Sequence, residues 1–144
     1  MKLQKASRLA LYATLELAAH PDEQLSAAEI AGRYGISLNH LAKVMRDLTR
    51  AGLVESVRGA GGGFRFAANA KRTTLMDVIQ LFEAIGEAPG GAREPAEMTE
   101  TGQALAQVLG EIDGIAQATL RSISIATMLK LVDRRRMRGA GLTG

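Results

Sequence analysis

Two capped helical segments joined by almost nothing constrain this chain more than any other feature of its sequence. Ser26 can cap a helix, Glu29 three positions later completes a capping box, and Leu25 ahead of the cap can staple onto Ile30. Gly35 then offers the left-handed conformation that closes a helix. Only two residues later Ser37 offers the next cap, with Ile36 and Leu41 as its staple and Gly52 as its stop. A connection this short must be a fixed corner between two helices.

In the second of these helices Leu41, Val44, Met45 and Leu48 recur at i, i+3, i+4 and i+7, so one side is committed to a core. The opposite side carries Asn39, His40, Lys43, Arg46, Asp47 and Arg50. After Gly52 the period becomes two, which predicts short strands over 53–57 and 64–67 around the glycine-rich segment 58–63. Ahead of these elements a first helix is expected over 6–19, ended by His20-Pro21-Asp22. Beyond them Thr74 and Asp77 cap a fourth helix over about 75–85. Gly86 and the glycines and prolines after it predict a loop. A long helix over about 98–123 follows, then a shorter one over 125–133. Leu105, Val108, Leu109, Ile112, Ala116, Thr119 and Ile123 draw a seam down the long helix. So small a domain cannot easily bury that seam, and a partner chain is its natural cover.

Composition supports an all-helical core with one hairpin. Aromatic residues make up only 3% and Trp is absent, so the interior must be built from Leu, Ile, Val, Met and Ala. Cysteine is absent too, which removes disulfides, thiolate nucleophiles and cysteine-held zinc or iron–sulfur clusters together. No apolar run reaches the roughly 18 residues of a membrane helix. Lys2 and Lys5 ahead of the apolar stretch 9–19 imitate a secretory signal. Glu16 interrupts that stretch at helical spacing, so a cytoplasmic N-terminus is expected. The net charge of +3 divides into +5 over residues 1–75, −7 over 76–120 and +5 over 121–144. A basic first part points to a polyanion partner.

Two capped helices, a tight glycine turn and a hairpin follow the order of a winged helix-turn-helix. A helix that reads DNA needs short polar groups for base edges at its N-terminal end and longer basic groups for phosphates. Ser37, Asn39, His40 and Lys43 supply these types within a turn and a half, and Arg46 and Arg50 continue them. A solvated helix face would look similar alone, but the bracketing helix and hairpin favour DNA. Arg58 and Gly59 open a wing whose glycines allow close approach, an arrangement suited to an arginine in a minor groove. A phosphate-binding nucleotide loop is excluded there, because neither Lys-Ser nor Lys-Thr follows Gly63 and a strand comes next. Enzyme readings lack a constellation: His20 and His40 lie in different helices without a metal or nucleophile motif. Glu94, Glu97 and Glu100 fit a helix N-terminus better than a metal site.

The segments Ile36-Ser37-Leu38-Asn39-His40-Leu41 with Lys43, Arg50-Ala51-Gly52-Leu53-Val54, Val57-Arg58-Gly59 and Gly61-Gly62-Gly63-Phe64-Arg65 carry a resemblance. Over nearly its whole length the chain resembles the bacterial winged helix-turn-helix regulators of the IscR, NsrR and CymR type. The resemblance implies a homodimeric transcriptional regulator on double-stranded DNA, whose long helices cross at the dimer interface and whose paired recognition helices bind a palindromic promoter site. By position it places Ser37, Asn39, His40 and Lys43 in the major groove and Arg58 in the minor groove. Arg46, Arg50, Gly59 and Arg65 complete the expected DNA-binding set.

In cluster-binding members of that family three cysteines lie in the segment matching about 88–99, and this chain has none there. Arg8 stands at the position resembling their further ligand on the first helix. Neither Arg8 nor the hard oxygens of Glu94, Glu97 and Thr99 replace thiolates, so no cluster and no other cofactor are expected. A small molecule or a protein remains open as an effector. The expected organisation is therefore a winged helix-turn-helix domain over 1–85 and an effector-type loop without cysteines over 86–97. Dimerisation helices over 98–133 and a basic flexible tail over 134–144 complete it. The expected function is that of a repressor acting through the 37–51 helix and the 58–63 wing. The competing class is a protein-interaction module that kept this fold and lost DNA binding, which would show no salt-dependent affinity for any duplex.

Overall fold

A computed structural model describes residues 1–59, 61–86 and 93–142 of the chain. Ala60 at the glycine-rich tip, residues 87–92 of the expected 86–97 loop and the last two residues of the expected tail lie outside the described residues. In chain order the elements are α1 (Lys5–Ala19), α2 (Ala27–Tyr34), α3 (Leu38–Arg50), β1 (Val54–Val57), β2 (Gly63–Phe66), α4 (Leu75–Ile79), a 3-10 helix (Pro95–Met98), α5 (Glu100–Ser122) and α6 (Ile125–Leu142). The main core joins Leu9, Ala13 and Leu17 of α1, Ile30 of α2, Leu41, Val44, Met45 and Leu48 of α3, Val54 of β1, Val78 of α4 and Ile125 of α6. A smaller cluster of Met76, Ile79 and Leu120 fastens α5 to α4.

Local chemistry explains most of the boundaries. The Ser26 hydroxyl accepts from the Glu29 N–H at 3.1 Å while the Glu29 carboxylate accepts from the Ser26 N–H at 3.4 Å, so the capping box is closed in both directions. Gly35 adopts φ 63°, and the N–H of Ile36 donates to the Ala31 carbonyl at 3.0 Å. Thr74 and Asp77 form a second capping box at the start of α4. Ser26→Ala is expected to cost about 1 kcal/mol of stability, read as a lower urea midpoint with an unchanged slope.

The strands pair antiparallel with Val54 opposite Phe66 and Val57 opposite Gly63. Leu25 extends this hairpin by one rung: its N–H donates to the Phe64 carbonyl at 3.0 Å, and the Phe64 N–H returns a bond at 2.7 Å. The approach is so close that a Cβ on Gly63 would lie 2.5 Å from the Leu25 carbonyl oxygen. The wing is thereby tied to the residue that precedes the cap of α2.

Three expectations about helix ends are corrected. The fourth helix was expected to reach residue 85, but regular α-structure stops at Ile79. There the Leu81 N–H bonds the Val78 carbonyl and the Phe82 N–H the Ile79 carbonyl, tighter i→i+3 bonds that turn the chain. The turn lets Phe82 pack on the main core and Ile85 on the smaller cluster. The long helix begins at Glu100 rather than near residue 98, because Thr99 caps it, accepting from the Gly102 N–H at 3.0 Å. The flexible tail expected from residue 134 is helical: α6 continues to Leu142. Arg134, Arg135, Arg136, Met137 and Arg138 are good helix formers with solvated heads, and this outweighs the cost of Gly139 and Gly141.

The start of α6 is pinned to the winged part of the fold. The N–H groups of Ile125 and Ala126 donate to the Thr73 and Ala70 carbonyls, each at 2.8 Å. Most of α5 from Gln103 to Ile112 is exposed by contrast. Among the described residues no helix is long and apolar enough to cross a membrane.

Candidate nucleic-acid interface

The corner Gly35-Ile36-Ser37 sets the first turn of α3 at the surface, where the Ser37 hydroxyl accepts from the His40 N–H at 3.4 Å. Burial of Leu41, Val44, Met45 and Leu48 fixes the roll of this helix about its axis. Asn39, His40, Lys43, Arg46 and Arg50 consequently stand exposed on the other side, together with Ser37. Asp47 is half-buried and does not interrupt them. Among the described residues the ion pairs are Arg33 with Glu16 and Arg65 with Glu55, so none of the α3 cations is neutralised.

Gly52, at φ 79°, turns the chain from α3 into β1. At the far end of the hairpin Arg58 and Gly59 are exposed. Gly59 (φ 130°) and Gly61 (φ 75°) adopt backbone that other residues rarely reach, and the Gly62 N–H bonds the Gly59 carbonyl at 2.9 Å. The Gln24 side-chain amide also donates to the Gly61 carbonyl at 3.2 Å, holding the wing toward α2. Arg65 lies on β2 with its guanidinium on Glu55 Oε1, at 2.9 Å from Nε and 2.6 Å from Nη2. Sequence reading grouped Arg65 with the free cations and missed this cross-strand partner. Both side chains are about half exposed, so the pair is a weak one that a phosphate could displace.

A second polar cluster escaped sequence reading. Glu16 on α1 is nearly buried and accepts from Arg33 Nη1 and, at 2.9 Å, from the Tyr34 hydroxyl, both at the end of α2. Burial resists ionisation of Glu16, but the bonds from Arg33 and Tyr34 and the Arg33 charge win and hold its carboxyl below the usual value. Burial, reinforced by the bond to Glu16, pushes the Tyr34 hydroxyl up to about 12. Tyr12 stacks on Tyr34 with ring centroids 5.1 Å apart. This cluster braces the helix that carries the corner.

On α5, Leu105, Val108, Leu109 and Ile112 are each more than half exposed, and Ile115, absent from the expected seam, is exposed with them. Ala116 and Ile123 are half-buried within the chain itself. Ile123 ends the helix, its carbonyl accepting from the Leu75 N–H at 2.9 Å.

Residues 3–131 match the Rrf2 family, described as iron-dependent transcriptional regulator. This chain belongs to the Rrf2 family. A protein of Rhodopseudomonas palustris named as the HTH-type transcriptional regulator BadM is 56% identical over 137 residues, covering 94% of this chain and 86% of that protein. The solved structure of CymR, the global cysteine regulator of B. subtilis, superposes with a TM-score of 0.75 at 25% identity, over 91% of this chain and 98% of that one. IscR of T. potens superposes with a TM-score of 0.68 at 28% identity, over 92% and 88%. The winged helix-turn-helix fold and the role of DNA-binding transcriptional regulator, not enzyme, follow for this Rrf2 member.

The iron in the family description meets an unsuited donor set in this Rrf2 chain. It has no cysteine anywhere. Among the described residues no three His, Asp or Glu side chains gather closely enough to hold a metal ion. Glu94, Glu97 and Thr99 are exposed and offer hard oxygens, whereas iron–sulfur clusters are held by soft thiolates. The residues present therefore do not fit a cysteine-held iron–sulfur cluster.

Proposed function

We propose that this Rrf2 member is a cytoplasmic homodimeric repressor that occupies an inverted-repeat promoter site without an iron–sulfur cluster. The first turns of α3 enter the major groove with Ser37, Asn39, His40 and Lys43, and Arg46 and Arg50 follow the phosphates. Arg58 and Gly59 of the wing meet the adjacent minor groove, and Arg65 exchanges Glu55 for the backbone. The observation that carries this reading is the outer face of α3, whose cations stand exposed beside amide, imidazole and hydroxyl groups with no carboxylate among the described residues paired to them. The exposed apolar seam of α5 supports pairing of two copies, which would give the twofold symmetry an inverted repeat requires.

The test is selection of duplexes from a randomised 30-base-pair library, followed by anisotropy titration of the recovered duplex. Affinity is expected to fall at least about tenfold between 50 and 200 mM salt, because phosphate contacts release counterions. Lys43→Ala and Arg58→Ala are each expected to weaken binding by about 1 to 3 kcal/mol. Retention of no duplex, or full affinity in both variants, would overturn the assigned surface and favour a protein-interaction module.

A further inference from the structure

We infer that Leu38 reads the 5-methyl group of a thymine in the major groove. The inference rests on the DNA-binding mode proposed above and adds to it a specificity-determining residue. Leu38 is the first residue of α3 and is 49% exposed. It is the large apolar side chain exposed on this helix, whose other outward groups are polar or charged apart from Ala42.

Position argues against a role inside the protomer. The buried row of α3 runs through Leu41, Val44, Met45 and Leu48. At 100° per residue Leu38 falls on the border of that row, on the same edge as Ala42, with Asn39 about 100° further round in the same turn. The helix start needs no leucine there, because Ser37 supplies the cap and Ile36 is the residue that packs on the core. Residues in the N-terminal turn of a recognition helix are those that reach base edges. The apolar feature on a major-groove floor is the thymine methyl, and an apolar side chain long enough to reach it makes contact. Asn39 beside Leu38 carries the amide suited to the N6 and N7 edge of adenine. An amide and an apolar group in the first turn of one helix therefore suit a half-site containing A·T pairs. Lys43 and Arg46 on the same helix, which make no ion pair among the described residues, make nucleic acid, rather than an apolar protein surface, the occupant of this edge.

The probe is the duplex recovered by selection, resynthesised with deoxyuridine in place of one thymidine at a time, symmetrically in both half-sites. Uracil keeps the base pair and removes only the methyl. For the wild-type protein at least one such replacement is expected to weaken binding about fourfold per half-site, the worth of one buried carbon. With Leu38→Ala that sensitivity should disappear, while Lys43→Ala should bind more weakly yet keep it. Indifference of the wild-type protein to every replacement would overturn the inference while leaving DNA binding intact. The same holds if Leu38→Ala retains every uracil effect undiminished. Absence of salt-dependent binding to any duplex would overturn the underlying reading and this inference together.

Discussion

Ile112→Asp is expected to weaken self-association of the proposed homodimer about a thousandfold, giving a monomer at micromolar concentration in sedimentation equilibrium. Ile112 is 55% exposed and sits among Leu105, Val108, Leu109 and Ile115 on the outer face of α5. A contiguous apolar face of this kind marks an interaction site. In a twofold dimer every substitution enters twice. Each copy forfeits about 2 kcal/mol of apolar burial and adds a carboxylate that resists leaving water, so at least about 4 kcal/mol is lost in all. DNA affinity should fall with it by at least about a hundredfold, since a lone α3 and wing hold one half-site without the gain from tethering a second. Far-ultraviolet circular dichroism should be unchanged, because Ile112 supports nothing in its own core. An intact Ile112→Asp dimer would place the contact elsewhere.

What sequence made legible here is what is decided locally. Ser26 with Glu29, Thr74 with Asp77, and Gly35 before Ser37 each act within four residues, and the caps and the corner stand where those patterns put them. The roll of α3 was legible because its burial repeats every three to four residues. The end of α4 was not, because it depends on where Phe82 and Ile85 find space in two separate clusters. Nor was the continuation of α6: five long side chains, four of them cationic, read equally as a solvated strand of tail or a solvated helix. Among site residues, the Arg65 pair with Glu55 depends on strand register. The Glu16 bonds to Arg33 and Tyr34 join residues 17 and 18 positions apart on different helices, where no spacing rule applies.

That last cluster yields an asymmetric result. Arg33→Ala is expected to destabilise the protein at pH 7 more than Glu16→Gln does, because only the first leaves a charge without its partner. Removing Arg33 leaves a nearly buried carboxylate with only the Tyr34 hydroxyl to hold it. Removing the charge of Glu16 leaves a guanidinium whose side chain is 48% exposed and already hydrated, and glutamine still accepts from Tyr34. The pH profiles should differ in sign as well as size. In the native protein the Glu16 carboxyl is held below its ordinary value of 4.5, so below that value the unfolded chain binds more protons. Its stabilising contribution is complete above pH 4.5 and is lost as pH falls through the lower folded value. Burial is already the largest single influence on Glu16, and without Arg33 the Tyr34 bond and the charge of His20 are left to oppose it, so the carboxyl is expected to move above 4.5. The contribution is then present in acid and lost as pH rises, so between about pH 4 and 6 Arg33→Ala should gain stability on acidification where the parent does not. Urea midpoints of the parent, Arg33→Ala and Glu16→Gln across that range measure both effects. Equal costs with parallel profiles would show that the carboxylate is solvated and that the bond to Arg33 does not brace α2 against α1.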